Sequence, residues 1–434
     1  MLDIKLLREK PEFVKERLQA RSADPAAIDA VLSADARWRE VKSEAEELQA
    51  RLKNATREIA KVLRETGNIN DETVEEYKAR IKDENRALGD RIAALNEQVR
   101  VLVDEREDLL YYIPNLPHAD TPEGGEENNV VVRSVGEPRA FGFAPKAHWD
   151  LATDLELIDF TRGAKLAGSG FALYKGLGAL LERGLIQFML DLHLTKHGYT
   201  EFSTPFFLLR ESMKASGHLA KFTPEMYHDA EDDLFALPTA EPALVNIHRE
   251  ELLDGRDLPL KYVAYSPCWR REAGAAGKDT RGLLRVHQFD KVEMVQYTLP
   301  EASYDALESM LTDATDVLDT LGLPYRIKLL AGGDISFASA KTYDIETYAP
   351  GVGAWLEVSS CSNCEDFQSR QANVRFRREP GSKPEFAHLL NGSGLALPRI
   401  VATLLETYQR ADGGIDIPPA LQPYLGGRTE LVKG

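Results

Sequence analysis

Hydrophobic side chains in the N-terminal part of the chain recur at alternating steps of four and three residues. They lie at Val41, Ala45, Leu48, Leu52, Ala55, Ile59 and Val62. A second run repeats every seventh residue, at Val74, Ile81, Leu88, Leu95, Leu102 and Leu109. Such heptads are typical of helices that pack side by side in a coiled coil. Gly67–Asp71 separates the two runs with residues that end one helix and begin the next. The pattern predicts an antiparallel coiled-coil arm over about residues 27–110, with about 38 residues in each helix.

From about residue 150 the pattern changes to shorter helical and alternating segments. A helix is predicted over residues 178–198, with its end at Gly198. Strands are predicted at 199–207, 258–266, 289–298, 341–349 and 353–361, where β-branched and aromatic residues alternate or mix as they do in antiparallel sheets. No repeated βαβ unit and no GxGxxG after a strand is visible, which argues against a doubly wound nucleotide-binding fold. The fold class predicted is therefore α+β.

The predicted domain organisation has three parts. Residues 1–112 form an N-terminal domain that contains the arm, and residues 150–434 form the α+β domain. Between them, residues 113–149 include the turn-rich stretch TPEGGEENNV and are predicted to be a linker region.

Composition limits the classes of protein to which the chain can belong. The chain has 434 residues and 53 Lys+Arg against 70 Asp+Glu, a net charge of -17. This acidity argues against a surface coated for non-specific nucleic-acid binding but allows local basic patches. The N-terminus lacks the apolar run of a signal peptide, and no window reaches the roughly 18 apolar residues of a membrane span. Three cysteines give no disulfide framework, so a cytoplasmic protein is predicted.

One segment, residues 266–294, concentrates positive charge. Its glycine and alanine residues are surrounded by Arg270, Arg271, Lys278, Arg281 and Arg285. Guanidinium groups pair two phosphate oxygens at once, and small residues let the backbone approach a ligand, so a polyphosphate site is one interpretation. Glu272 and Glu293 add carboxylates suited to an ammonium group or an adenine amino group. The residues alone leave a second interpretation open, a solvated basic hairpin without a ligand.

Three signatures follow one another in the order found in class II aminoacyl-tRNA synthetases. They are the helix and strand ending at Pro205, the Arg270-Arg271-Glu272 triplet with the run Arg285–Phe289, and residues 390–409 with Arg399. Together with the triplet Thr239-Ala240-Glu241 and the segment EVSSCSNCEDFQ from Glu357, they make the chain resemble bacterial seryl-tRNA synthetases over essentially its whole length. The resemblance implies a coiled-coil arm followed by a class II catalytic domain built on an antiparallel β-sheet flanked by helices.

The resemblance also implies a reaction and a set of ATP-binding residues. ATP and L-serine would form seryl-adenylate and pyrophosphate, and serine would then pass to the 3′-terminal adenosine of tRNA(Ser), with tRNA(Sec) left open as a second acceptor. The catalytic residues implied are Arg270, Glu272 and Arg399. The ATP-binding residues implied are Arg270, Arg271, Glu272, Arg285, Val286, Phe289, Glu357, Val358, Ser359, Ser360 and Arg399.

Individual roles follow from the same resemblance. Arg270 would hold the α-phosphate and the serine carboxylate, and Arg285 the far phosphate. Glu272 would meet the adenine amino group, while Phe289 and Arg399 would cover the two faces of the ring. Glu357 and Ser360 would be the Mg²⁺ ligands, as hard oxygen donors suit that ion.

A serine pocket and a tRNA surface complete the implied site. The serine-binding residues are Thr239, Ala240, Glu241, Arg270, Glu293 and Ser393. The cations Lys53, Arg57, Lys61 and Arg64 fall at outward heptad positions, and the resemblance implies that they contact tRNA. Without the resemblance, a solvated helix face is the simpler explanation of these cations. A homodimer without membrane attachment is expected. Cys361 and Cys364 form a lone CxxC pair, so no structural zinc is expected.

The residues leave alternatives open. The adenylate could be passed to a carrier protein, or the chain could be a non-catalytic coiled-coil protein. Glu293 could be a structural carboxylate, residues 391–394 only a turn, and Arg399 only a brace. The chain also departs from the family pattern, with Pro242-Ala243 after the Thr239–Glu241 triplet where Val-Pro is common, and with Arg271 where Ser is frequent.

Overall fold

The computed structural model describes residues 1–62, 73–273 and 280–433, with the backbone alone described at 58–62 and 74. The chain divides into two compact units. The helical unit comprises Ile4–Lys15 and Asp24–Ile113, and the sheet unit comprises Met1–Asp3, Glu16–Ala23 and Pro114–Gly434. The turn expected at Gly67–Asp71 lies outside the described residues.

Two long helices dominate the helical unit. The chain begins with α1 (Ile4–Glu9) and α2 (Pro11–Ala20), which are followed by α3 (Ala26–Val62) and α4 (Val74–Tyr111). Ion pairs join α3 and α4 at Glu44–Arg91 and, further along, at Arg37–Glu105, so one residue number falls as the other rises. The two helices therefore run antiparallel, as the heptads predict, and the heptad residues Ala45 and Leu95 are buried.

The start of α4 is fixed by its own side chains. Thr73 Oγ1 accepts a hydrogen bond from the Glu76 amide at 3.3 Å, and the Glu76 carboxylate accepts one from the Thr73 amide at 3.1 Å. This reciprocal arrangement is a capping box, and it satisfies two amides that the first helical turn leaves without partners. The Thr-x-x-Glu spacing is a sequence signal for this helix start.

A buried carboxylate organises the other end of the two helices. Asp35 on α3 is fully buried and accepts hydrogen bonds from Arg8 at 2.7 Å, Arg39 at 3.0 Å and Arg106 at 3.3 Å. Burial alone would raise the pKa of Asp35, but the three guanidinium groups outweigh it and hold the pKa below its ordinary value. One carboxylate thus connects α1, α3 and α4.

The sheet unit contains short helices and strands in alternation. Its helices are α5 (His148–Asp154), α6 (Phe160–Ala167), α7 (Leu177–Thr195), α8 (Arg210–Ala215), α9 (His218–Lys221), α10 (Glu241–Val245), α11 (Ser303–Leu321), α12 (Phe367–Ala372) and α13 (Leu397–Thr407). Its strands are β1 (Val130–Val135), β2 (Thr200–Glu201), β3 (Phe207–Leu209), β4 (His228–Asp229), β5 (Leu234–Ala236), β6 (Leu252–Asp254), β7 (Leu260–Trp269), β8 (Gln288–Thr298), β9 (Tyr325–Leu329), β10 (Lys341–Ala349), β11 (Ala354–Asn363), β12 (Arg375–Arg377), β13 (Glu385–Phe386), β14 (His388–Ala396), β15 (Ile415–Asp416) and β16 (Glu430–Leu431).

The main sheet has the order β1-β9-β10-β11-β14-β8-β7-β2 and is antiparallel except between β2 and β7. Four of the five predicted strand segments lie in β7, β8, β10 and β11. The fifth, 199–207, is divided, because only Thr200–Glu201 joins the main sheet and Phe207 begins β3 in a small separate sheet. The sequence did not predict β1, which lies within residues 113–149.

Alternation along β8 separates two sides of the sheet. Val292 and Met294 belong to the main hydrophobic core, in which α7, α11 and α13 cover one face. Val295 and Tyr297 pack against α10 in a second core on the opposite face. Odd-numbered side chains of β8 therefore share the α10 face, because successive strand residues point to opposite sides. Within the described residues, no helix is long and apolar enough to cross a lipid bilayer.

We expect Asp35→Ala to lower the free energy of unfolding of the helical unit by about 3–5 kcal/mol, because three guanidinium groups lose their shared carboxylate. Urea denaturation followed by far-ultraviolet circular dichroism measures this. The loss should shrink in acid, since a carboxyl with a lowered pKa contributes stability above its ordinary pKa and loses it as pH falls through the lowered value.

Asp29→Ala is the matched control in the same helix. Asp29 is exposed and pairs with Lys15 at 2.8 Å, so its removal should cost less than about 1 kcal/mol. Equal losses in the two variants would contradict the role given to Asp35.

Candidate active site

A cavity of about 330 Å³ opens in the sheet unit on the α10 side of the main sheet. Its walls come from β8, β11, β14, the residues directly after β7 and the first turn of α13. Apolar surface and many convergent polar and charged side chains share the lining, as expected for a binding site.

Three alternate residues of β8 line the cavity, namely Phe289, Lys291 and Glu293. The Lys291 ammonium is in direct contact with Glu293 Oε2, and both side chains are almost fully buried. Burial raises the pKa of the Glu293 carboxyl, Lys291 opposes this, and the nearby Glu241 adds to it. A buried, strongly interacting charge pair therefore lies at the base of the cavity.

A second carboxylate, with a side chain that is 14% exposed, lies beside the first. Glu241, at the start of α10, accepts hydrogen bonds from Gln368 Nε2 at 2.7 Å and Asn391 Nδ2 at 3.2 Å. Its backbone amide donates to Thr239 Oγ1 at 3.2 Å, which ties the two residues together. Burial raises the pKa of Glu241.

His218 lies 3.8 Å from Glu241, measured from Nε2 to Oε2. Burial, together with the cations Arg270 and Lys291, lowers the pKa of His218 to about 4. The imidazole is therefore neutral at physiological pH, and it can offer hydrogen bonds without adding charge.

Three arginines face the cavity, and each is held by a neighbour. Arg270 donates from Nε to the Pro238 carbonyl at 3.2 Å, and its guanidinium lies 5.1 Å from the centre of the Phe289 ring. Arg285 Nη1 donates to Glu272 Oε2 at 2.9 Å. Planar, pre-oriented guanidinium groups suit the bidentate recognition of phosphate or carboxylate.

Arg399, in the first turn of α13, is the third and reaches back to β11. Its Nη1 donates to the Glu357 carbonyl at 2.7 Å and to Glu357 Oε2 at 3.3 Å. Pro398 lies in the same first turn, where the missing amide of proline costs the helix nothing.

The oxygens of Glu357 and Ser360 fit Mg²⁺, which prefers carboxylate and hydroxyl donors. Both line the cavity, and the Glu357 side chain is about half exposed. Asp344 on β10 is paired with Ser360 across the sheet, and its Oδ1 has no hydrogen-bond partner among the described residues. A hard cation beside Glu357 and Ser360 would therefore find a second carboxylate next to its ligands.

The structure brings most of the residues implied by the resemblance into this one cavity. They are Thr239, Glu241, Arg270, Glu272, Arg285, Val286, Phe289, Glu293, Glu357, Val358, Ser359, Ser360, Ser393 and Arg399. Pro242 lies in the first turn of α10, so the departure from the family pattern does not interrupt that helix.

Two implied residues do not line the cavity. Ala240 is fully buried, and Arg271 donates from Nε to the Met226 carbonyl at 2.9 Å with its guanidinium over Tyr227. Arg270 and Arg271 contact different neighbours, and only Arg270 lines the cavity.

On the helical unit, Lys53 and Arg57 are exposed on α3. The Lys61 side chain and Arg64 lie outside the described residues, as does Lys278.

Three further residues line the cavity and were not predicted from the sequence, namely Lys291, His218 and Asn391. Lys291 carried a usable signal, because it lies two residues from both Phe289 and Glu293 on a predicted strand. His218 and Asn391 gave none, since only folding brings them beside Glu241.

We expect Lys291→Met to lower the free energy of unfolding by about 3 kcal/mol near neutral pH, because it leaves Glu293 buried without its cation. Burial already raises the pKa of Glu293, so the folded protein favours the protonated carboxyl more than the unfolded protein does. The free energy of unfolding therefore falls as pH rises through that pKa. Urea denaturation should therefore find a smaller loss at a pH about two units lower.

The double variant Lys291→Met/Glu293→Gln controls for the loss of side-chain packing. It should recover most of the stability near neutral pH, because Glu293 no longer contributes a buried charge. A loss that is independent of pH and persists in the double variant would contradict this role of the pair.

Comparison with known proteins identifies relatives of both units. Residues 222–408 match the tRNA synthetase class II core domain (G, H, P, S and T), and residues 1–117 match the seryl-tRNA synthetase N-terminal domain. The serine–tRNA ligase of Roseiflexus sp. (strain RS-1) is 50% identical over 434 residues, 100% of both chains. That of Geobacillus kaustophilus (strain HTA426) is 50% identical over 432 residues, covering 99% of this chain and 100% of that one.

Solved structures give the same result. The seryl-tRNA synthetase from Pyrococcus horikoshii complexed with ATP superposes with a TM-score of 0.92 at 36% identity, covering 100% of both chains. The cytoplasmic serine–tRNA ligase from Naegleria fowleri in complex with AMP gives a TM-score of 0.87 at 30% identity, covering 100% of this chain and 99% of that one. The fold class and the family expected from the sequence are confirmed, and the chain belongs to the seryl-tRNA synthetase family.

Proposed function

We propose that this protein is a serine–tRNA ligase, which activates L-serine with ATP and transfers the seryl group to the 3′-terminal adenosine of tRNA(Ser). One observation carries the proposal: a single cavity combines three pre-oriented arginines with a buried pocket of carboxylates, in a chain half identical to curated serine–tRNA ligases. The arginines suit the phosphates and the carboxylate of the substrates, and the carboxylate pocket suits an ammonium and a hydroxyl.

In the first step, a serine carboxylate oxygen attacks the α-phosphorus of ATP. The bond from that phosphorus to the bridging oxygen breaks, and pyrophosphate leaves with the electron pair. Arg270 holds the α-phosphate and the serine carboxylate in line, and Arg285 holds the far phosphate after exchanging its contact with Glu272 for the ligand. Rate enhancement comes from position and charge, so no side-chain nucleophile is required.

The adenine ring of ATP lies between Phe289 and the Arg399 guanidinium in this proposal, and its amino group meets Glu272. Mg²⁺, held by Glu357 and Ser360, would neutralise phosphate charge when bound. Arg399 already contacts Glu357, so the arginine and the metal ligand are oriented together.

Serine selection follows from the buried pocket. Glu293, Glu241, Thr239 and Ser393 offer acceptors for the ammonium and hydroxyl groups of serine. A substrate without the hydroxyl leaves buried polar atoms unpaired, which disfavours alanine and glycine. Threonine is disfavoured by the volume of its extra methyl group.

In the second step, a hydroxyl of the terminal adenosine attacks the carbonyl carbon of seryl-adenylate, and AMP leaves. The exposed cations Lys53 and Arg57 contact the tRNA backbone. A homodimer, bound Mg²⁺ and tRNA(Sec) as a second acceptor stay predictions from the resemblance, and a cytoplasmic location stays a prediction from the composition.

We expect ATP–pyrophosphate exchange with serine, and far less with alanine, glycine or threonine. In Glu293→Ala, kcat/KM for serine should fall about 30- to 100-fold, the loss expected for a hydrogen bond to a charged group. Glu301→Ala is the control, because Glu301 is an exposed carboxylate paired with Arg378 away from the cavity. Absence of exchange with all four amino acids would overturn the proposed function and favour a non-catalytic protein.

Charge reversal on the coiled-coil arm tests whether tRNA is the acceptor of the seryl group. Lys53→Glu/Arg57→Glu should weaken tRNA binding and lower the slope of log affinity against log salt by about one for each phosphate that is no longer neutralised. Lys78→Glu/Lys82→Glu changes the net charge equally at exposed positions of α4 and should change the slope less. Equal effects of the two double variants would show a general charge effect rather than a binding surface. Transfer of serine to a carrier protein instead of tRNA would favour the ligase alternative.

A further inference from the structure

A buried imidazole–carboxylate pair lies outside the cavity. His148, the first residue of α5, and Glu406, in the last turn of α13, both have fully buried side chains. His148 Nδ1 lies 2.7 Å from Glu406 Oε1, and the His148 amide donates to the same oxygen at 2.8 Å. None of the roles proposed above uses either residue.

The second nitrogen of the ring points at a segment that lines the cavity. His148 Nε2 accepts a hydrogen bond from the Leu283 backbone amide at 3.0 Å. An amide can only donate, so Nε2 must carry a lone pair and the ring proton must be on Nδ1, directed at Glu406. The imidazole is thus a neutral bridge with one fixed tautomer.

Glu406 is itself fixed at both oxygens. Its Oε2 accepts from the Gly351 amide at 2.7 Å and from the Val352 amide at 3.1 Å. Gln409, just beyond α13, bonds both the amide and the carbonyl of Lys146, at 2.8 and 3.0 Å. The end of α13 therefore holds residues 146–148 in place, and with them the His148 ring.

The approach of the ring to residue 282 requires glycine. Gly282 has a φ of +60°, and a Cβ at this position would lie 2.4 Å from His148 Nε2. No side chain fits there, so the chain comes close enough for the next amide to meet the imidazole. The hydrogen bond between His148 and the Leu283 amide thus depends on the backbone conformation at Gly282.

We propose that His148 is a positioning residue for ATP, acting through the Leu283 amide on the segment Leu283–Val286. All four residues of that segment line the cavity, and Arg285 among them is the arginine assigned to the far phosphate. This inference rests on the proposed function. Anchoring Leu283 fixes the backbone two residues before Arg285, so Arg285 is oriented before ATP binds. The serine pocket, on β8 and α10, does not depend on this contact.

Two variants separate the two hydrogen bonds of the ring. His148→Asn places an amide near the position of Nδ1, which keeps a donor for Glu406 and removes the acceptor for Leu283. His148→Gln places an amide near the position of Nε2, which keeps an acceptor for Leu283 and removes the donor for Glu406. We expect the KM for ATP in pyrophosphate exchange to rise about three- to tenfold more in His148→Asn than in His148→Gln, with little change in the KM for serine.

A combination with Arg285→Ala tests whether the effect passes through that arginine. His148→Asn should add little to the KM for ATP once Arg285 is absent, because both changes remove the same interaction. A purely structural role predicts equal effects of the two His148 variants, or parallel changes in both KM values, and either result would overturn the inference. Thermal unfolding of both variants provides the stability reference.

If His148→Asn does not fold, the inference is tested with His148→Gln alone. We expect this variant to have a KM for ATP within about threefold of the wild-type value, because it keeps the acceptor for the Leu283 amide. A larger rise with Arg285 present would overturn the inference. Lack of exchange in the wild-type protein would instead contradict the proposed function, so the two failures are distinguishable.

Discussion

The alternation of side chains along β8 is the constraint on which the site depends. Val292 and Met294 enter the main core, so Lys291 and Glu293 must face the other side. A slip of one residue would exchange these sets and bury the ion pair in hydrocarbon, at a cost far above that of any single contact. Unbroken pairing with β7 prevents the slip. The pairing with β14 has a bulge between Ser393 and Leu395, and it places Ser393 directly opposite Glu293. Packing of Val292 and Met294 in the hydrophobic core thereby places Lys291 and Glu293 in the cavity.

Charge burial is the second physical feature of the cavity, and it bears on how a ligand would bind. Burial raises the pKa of both Glu241 and Glu293, although Lys291 stabilises the ionised form of each. Arg270 also stabilises the ionised form of Glu241, yet burial has the largest effect on both carboxyl groups. The ammonium group of an amino acid would add a further favourable charge, so its binding and the ionisation of the carboxylates would be coupled.

The sequence was most informative where a pattern repeats and least where a single contact decides. Alternation located four strands of the main sheet, and heptads located the two arm helices. The strand β1 was not predicted because Val130, Val131 and Val132 are consecutive and all exposed. Hydrophobic and polar residues therefore do not alternate at its start. In the site, the resemblance supplied residues that share a motif. Arg271, which the motif assigned to ATP, does not line the cavity, and His218 is recognisable only once the fold is known.

The bridge through His148 shows why some positioning residues leave no motif. Arg399 and Glu406 are seven residues apart on α13, so they lie on the same side of the helix, about 10 Å apart along its axis. One rigid helix therefore presents an arginine to the cavity and fixes the anchor for the cavity segment that carries Arg285. The last partner in this chain of hydrogen bonds is a backbone amide, which every residue except proline possesses. The Leu283 side chain takes no part in this contact and packs in the main core, whereas Gly282 is constrained by the close approach.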